Sequence, residues 1–334
     1  MPTPLATIER YFDERDHPTA ARSAERLGSV LDRDDVRSAP FWLPPFLLMG
    51  LFVYGGIVWN VIISLTNMQG IGAVDYTNLD FENYIIAFGS GEIVPEWSQY
   101  GLSPTPIWNS LINTLLLMIG FTVFCLAVGL LLAILVDQDI RFENTFRTIY
   151  LLPMSLSFVV TAKFWKFMYN EQTGIINLVW TSLGFDSFGI IQNPDLKLAA
   201  VVFALIWQFS GYAMVVYLAA LRAIPTDHFE AARVDGASTI KMYWRIILPQ
   251  LRTATVSALV VLMVFALKAF DFLYALYGGY NPGPSADILA TRMVREAYSN
   301  GNYAYGSTIA VVLFVMALGI VVPYLYSQYR RDAL

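Results

Sequence analysis

Six long, nearly unbroken apolar stretches dominate the chain, at roughly 42–65, 109–136, 148–168, 198–221, 254–277 and 305–327. About 20 consecutive apolar residues, rising 1.5 Å each as a helix, cross the hydrocarbon of a bilayer. The pattern therefore predicts an all-α membrane protein with six transmembrane helices. The third stretch is the least clean, because Lys163 and Lys166 lie near its far end. Their long stems let both ammonium groups snorkel to the membrane surface, so a span is still expected there. Residues 1–40 are polar and predict an N-terminal arm outside the membrane; residues 41–334 carry the six spans.

The polar connectors give the orientation. Fifteen Lys and Arg fall in the arm, in 137–148, in 222–253 and in the tail, against three in the alternate connectors 66–108, 169–197 and 278–304. Basic residues concentrate on the cytoplasmic side, so both termini are expected in the cytoplasm. Composition agrees with the membrane class: 56% of residues are hydrophobic and 14% charged, against roughly 25% charged in soluble domains. The arm holds six Arg and eight acidic residues with no early apolar core, unlike a secretory signal peptide. With 16 Arg to 5 Lys and a net charge of −5, the chain fits a salt-adapted or GC-rich prokaryotic source, and no nucleic-acid partner is expected. Cys125, the single cysteine, lies in an apolar run and reads as a small buried hydrophobe.

The connector between spans four and five, PTDHFEAARVDGASTIKMYWRIILPQL from Pro225 to Leu251, is richer than its neighbours. Thr226 or Asp227 can cap a helix, with Glu230 placed for a capping box after Asp227. Ala231 and Ala232 give that helix a smooth flank, Gly236 can end it in the left-handed conformation, and Ser238 can cap a second helix. Pro249 then breaks the chain before the fifth span. On local physics this is a short cytoplasmic helix on an elbow, shaped to dock into a groove, or an ordinary connector with a surface helix.

The spacing Glu230-Ala231-Ala232, three residues, Gly236, nine residues, Ile246, one residue, Leu248-Pro249 resembles the EAA loop of membrane subunits of binding-protein-dependent ABC importers. Seven fixed positions over 20 residues arise by chance on the order of 10⁻⁸ times per start position. Further segments are similar to the maltose and glycerol-3-phosphate type: Asn113-Thr114, FWKFMYNEQTGIINLV from Phe164, ALKAFDFLYALYGG from Ala266 and TRMVREAY from Thr291. The resemblance covers a core of roughly 105–328. It implies a permease subunit forming half of a path for a sugar or polyol, with a cytoplasmic coupling helix between spans four and five. Glu230, Ala231, Ala232, Asp235, Gly236 and Pro249 would be its coupling residues. It also implies a second homologous permease, a dimer of cytoplasmic ATPases holding ATP and Mg²⁺, and an extracellular binding protein. Where that branch has a compact Gly-Gly-Pro turn after the fifth span, this chain reads GGYNPGPSADI, so the outer gate is expected to differ.

The chain has no Gly-rich phosphate loop ending in Gly-Lys-Ser/Thr, and its two histidines, His17 and His228, lie outside the spans. Neither ATP hydrolysis by that route nor a histidine-based metal site is expected of it. Lys268 and Asp271, charged within the fifth span, would share a helix face and pair, or line the path. Asn113, Trp207, Gln208 and Tyr212 offer the amide and aromatic groups a carbohydrate path needs, or serve as polar glue between helices. An ion-coupled secondary transporter is the alternative, weakened by few buried ionisable groups and no paired halves with interrupted helices. A membrane-embedded enzyme would need a nucleophile and base clustered in the spans, and the sequence offers none.

Overall fold

The computed structural model describes residues 34–70, 72–89, 107–138 and 142–332. Most of the N-terminal arm, and residues 71 and 90–106 of the connector 66–108, lie outside the described residues. Among those described, every regular element is helical. Two compact units partition the chain, Met1–Trp59 and Asn60–Leu334.

The first unit holds α1 (Asp34–Met49), a π-helical turn (Gly50–Tyr54) and the start of α2 (Gly55–Ser64). Residues Ser38–Ser64 run as one 27-residue apolar helix, long enough to cross a membrane. Pro40, Pro44 and Pro45 lie inside α1, where each lacks the N–H that would bond one turn back. Trp42 and Phe46, one turn apart, pack edge to face at 6.1 Å.

The second unit continues through α3 (Glu82–Phe88), α4 (Trp108–Val136), α5 (Glu143–Leu151), a 3₁₀ turn (Leu152–Ser155), α6 (Phe158–Met168), α7 (Ile175–Ser182) and α8 (Pro194–Arg222). The inter-span helices α9 (Thr226–Val234), α10 (Thr239–Met242) and α11 (Leu248–Gln250) follow. Then come α12 (Arg252–Leu267), α13 (Phe270–Tyr277), α14 (Leu289–Val294) and α15 (Tyr303–Asp332).

α4 and α8, each 29 residues, form the centre of the core. Small residues let them approach: a Cβ at Gly129 would strike Ala213 across the interface. Phe121 and Phe209 meet edge to face at 5.7 Å, and Phe158 and Phe265 extend the aromatic cluster toward α6 and α12. The outward flanks of α4 expose Leu116, Ile119, Val123 and Phe124, as helices facing lipid do.

Four helices are long and apolar enough to cross a membrane, and up to six crossings result if each of two bent pairs counts as one. The sequence reads residues 148–168 as one helix; the structure bends there by 99°. Pro153 and the extended Leu156 and Ser157 interrupt it, and Ser157 caps a new helix by accepting from the Val160 N–H. The 11 residues of α6 extend only about 16 Å. Residues 254–277 also divide, between Leu267 and Phe270. No Pro or Gly marks that break, although Lys268 sits in it and Asp271 follows.

The connectors sort into two ends. At one end the Gly70 N–H donates to the Gly301 carbonyl (2.8 Å), and Lys197 Nζ donates to the Pro282 carbonyl (2.9 Å). At the other, Arg222 contacts Glu143 (2.6 Å) and Asp137 (3.6 Å), and Gln138 Nε2 donates to the Tyr243 hydroxyl (3.1 Å). This is the grouping the alternation of basic and non-basic connectors predicts.

Candidate coupling loop and translocation path

The connector after α8 takes the shape its residues suggest. α9 starts at Thr226, so Thr226 and Asp227 lie in its first turn rather than before it. Gly236 stands at φ +70°, in the left-handed region. The Ala237 N–H reaches back to the Ala232 carbonyl at 3.0 Å, closing the six-to-one bond of a Schellman ending. Ala232 is buried in the core cluster and anchors the helix, while Ala231 occupies the same helix. Glu230, Asp235 and Gly236 are exposed. Ser238 caps α10 by accepting from the Lys241 N–H (3.4 Å), and buried Met242, Ile247 and Leu251 tie the elbow to the core. Pro249 lies two residues before a 66° bend at Leu251. Three large apolar side chains on this polar elbow stay uncovered: Val234 (87% exposed), Ile240 (83%) and Trp244 (70%).

The path candidates do not converge on one point. Trp207 is half-buried, stacks on Phe164 with ring centres 5.7 Å apart, and meets Trp165 edge on. It lines an open groove of about 640 Å³ with Val128, Leu132, Leu156, Phe203 and Ser210. Gln208, on the next position of α8, is buried; its Nε2 donates to the Leu156 carbonyl (2.9 Å), and its Oε1 has no partner. Tyr212, one turn further, is half-buried against the core. Asn113 lies elsewhere: its amide donates to the carbonyls of Pro284 (2.7 Å) and Asp287 (2.9 Å). It fastens the segment after α13, so its donor is committed to the fold.

Lys268 and Asp271 also depart from the expectation of a shared face. The break falls between them, both side chains are exposed, and no ion pair joins them among the described residues. A continuous helix is what would have aligned them, and the interruption at Lys268 removes it.

A charged site the hydropathy argument passes over lies at 280–300. Asp287 is fully buried and takes a bidentate contact from Arg295, Nη1 to Oδ1 at 2.9 Å and Nη2 to Oδ2 at 2.7 Å. Ser110 Oγ and Thr291 Oγ1 donate to the same carboxylate (3.1 and 2.8 Å). Arg292 and Glu296, also buried, lie 3.9 Å apart on the next face. The Leu289 N–H donates to Thr114 Oγ1 (2.9 Å), so α4 grips the segment from Asn109 to Thr114. The available signal is spacing: Asp287, Thr291 and Arg295 recur at i, i+4 and i+8. Counting the arginines as connector cations hides it. Among the described residues no group of three or more His, Cys, Asp or Glu could hold a metal ion.

Residues 125–332 match the family of binding-protein-dependent transport system inner membrane components. The chain belongs to this family, and its EAA-type connector falls inside the matched region. It is 54% identical to the xylose/arabinose import permease protein XacH of Haloferax volcanii, over 92% of this chain and 93% of that one. It is 30% identical to the sulfoquinovosyl glycerol transport system permease protein SmoG of Agrobacterium fabrum, over 90% and 94%. The fold matches a chain of a bacterial ABC transporter that imports the polysaccharide alginate, with a TM-score of 0.73 and 22% identity over 91% of this chain and 99% of that one.

Proposed function

We propose that this chain is a six-span permease subunit that forms half of the path of an ATP-driven importer for a pentose or a related sugar. The bent pair 143–168 crosses once as the third span, and 252–277, which follows the 66° bend at Leu251 and includes the break at Lys268, crosses once as the fifth. Both termini and the 222–253 connector face the cytoplasm, supported by the placement of fifteen of the basic residues. The membrane is the inner or plasma membrane of a prokaryote, and the Haloferax relative supports a salt-adapted source.

The observation that carries the coupling reading is the exposed elbow at Gly236. A helix ended by a left-handed glycine presents Val234, with Ile240 and Trp244 following, on a surface otherwise polar. Uncovered apolar groups of this size on a polar connector suit a partner's groove. That partner is a dimeric cytoplasmic ATPase, which binds ATP and Mg²⁺ and pulls on α9. Glu230, Asp235 and Gly236 form the contact; Ala231, Ala232 and Pro249 set its shape. A second, homologous permease completes the path, and an extracellular binding protein delivers the solute.

For the path itself, Trp207 and Tyr212 on α8 offer aromatic faces for a sugar ring, and Gln208 an unsatisfied buried acceptor. Asn113 holds the outer segment that roofs the path; Lys268 and Asp271 stand exposed where the second permease or the path itself meets the fifth span. The sugar class rests on the XacH and SmoG resemblances.

The Gly236→Val variant, reconstituted with its ATPase, partner permease and binding protein, tests the coupling. It should insert and assemble in the membrane yet lose sugar uptake and the stimulation of ATP hydrolysis by loaded binding protein. Uptake and stimulated hydrolysis matching the unmodified complex would refute the coupling role.

A further inference from the structure

We infer that α7 is a membrane-surface helix that seats its free apolar face in the lipid leaflet at its own end of the spans. Ile175, Leu178 and Val179 fall on one face at helical spacing, and Leu183 follows just beyond the helix end. All four are exposed, Leu178 at 55% and Leu183 at 67%, and beyond them Phe185 stacks on Trp180 at 4.3 Å. The opposite face is fixed to the protein. Asn177 is buried, its Nδ2 donating to the Phe188 carbonyl (2.9 Å) and its Oδ1 accepting from the Phe188 N–H (3.0 Å). The orientation of the apolar face is thus set by a two-bond amide clamp rather than by a mobile loop.

Its height identifies the occupant. The Tyr169 hydroxyl, one tight turn before α7, donates to the Ala200 carbonyl (2.9 Å). Ala200 lies about 9 Å along α8 from its start. Asp195 and Lys197 mark the polar end of that span within the same two turns. α7 therefore lies where hydrocarbon gives way to headgroups, the level at which Trp and other amphipathic side chains concentrate. The exposed Phe164 and Phe167 near the end of α6 lead the bilayer-facing surface up to it. Leu178 marks the edge of the apolar face, and beside it α7 is wet: Glu171, Gln172, Asn177, Thr181 and Ser187 line, with Leu178, an open polar cavity of about 530 Å³. No Lys or Arg lies between 169 and 196, so attachment rests on apolar burial and not on anionic headgroups.

Spin labels on Val179→Cys, Leu183→Cys and Thr181→Cys, each in the full transporter in lipid nanodiscs, test this. Cys125 is buried, which directs the label to the new cysteine. At 179 and 183 collisions with oxygen should exceed those with a water-soluble nickel chelate, and at 181 the ratio should invert. Replacing zwitterionic with anionic phospholipid should leave the pattern unchanged. A chelate-dominated signal at 179 and 183 means a helix in water, and exclusion of both probes means a covering protein; either result overturns the proposal. None of these readouts depends on coupling to the ATPase, so the inference and the Gly236 experiment fail separately.

Discussion

Two connectors of similar length, 222–253 and 278–304, solve opposite problems. The first leaves its surface unfinished: Val234, Ile240 and Trp244 are uncovered, and its helices are held by Ala232, Met242, Ile247 and Leu251 beneath. The second leaves Tyr298 exposed but settles its charges internally, burying Asp287, Arg292, Arg295 and Glu296 and tying its backbone to α4 through Asn109, Asn113 and Thr114. If the first segment docks on an ATPase as proposed, its exposed apolar groups are satisfied only on docking. A segment that must stay put is fully bonded, because a buried charge without partners is costly.

The largest expected effect follows from that closure. Asp287→Ala leaves the Arg295 guanidinium buried beside Tyr280 without its carboxylate, and Arg295→Ala strands Asp287. Breaking a buried pair from one side costs about 3–5 kcal/mol. Either variant should lower the thermal midpoint of the purified transporter sharply or prevent assembly. Replacing both, Asp287→Leu with Arg295→Met, should cost less than either single change. A double variant no better than the singles would show that the pair is separable and the contrast with the other connector overstated.

Next comes Asn113→Ala, which removes two donors and leaves the Asp287 carbonyl without its amide. Leaving a buried carbonyl unpaired costs about 1–3 kcal/mol. The loss should appear as lower thermal stability, with uptake falling in proportion to the protein that survives. Normal stability with a raised half-saturation concentration for sugar would instead place Asn113 on the solute.

These sites show what sequence reading reaches. The long apolar helices were legible because apolar length is a one-dimensional property, and Gly236 because a left-handed helix end has a residue signature. The bend at Leu156–Ser157 and the break at Lys268 were not, since each lies inside a longer stretch that stays apolar on both sides. The Asp287–Arg295 pair was missed because burial comes from tertiary packing: in the sequence its members look like connector charges. Asn113 stays open in the sequence between a sugar path and polar glue between helices, because an amide in an apolar helix suits either role until its partners are known.

Gly236→Ala sharpens the comparison on the open side. A Cβ there meets nothing within 4 Å, so sterics do not oppose it, and only the φ of +70° does. That strain is about 1 kcal/mol. The purified chain should lose no more than this in stability, far less than Asp287→Ala, while affinity for the ATPase falls because α9 ends at a different angle. A stability loss as large as that of Asp287→Ala would mean that the elbow is part of the core after all.

The smallest effect is expected where the sequence suggested an ion pair. Lys268 and Asp271 stand on either side of the helix break, both exposed, with no ion pair between them. Solitary exposed changes of this kind usually alter stability by less than about 0.5 kcal/mol. Lys268→Gln and Asp271→Asn should therefore leave the thermal midpoint of the isolated chain in detergent nearly unchanged, and their effects should add in the double variant. Charges within a span still need water or a counter-charge, because lipid supplies neither. In the assembled transporter the same variants should show a distinct loss, in uptake if the charges line the path and in assembly if they meet the second permease. Strong coupling between the two substitutions in the isolated chain would break this argument, since it would require the direct contact that the interruption at Lys268 prevents.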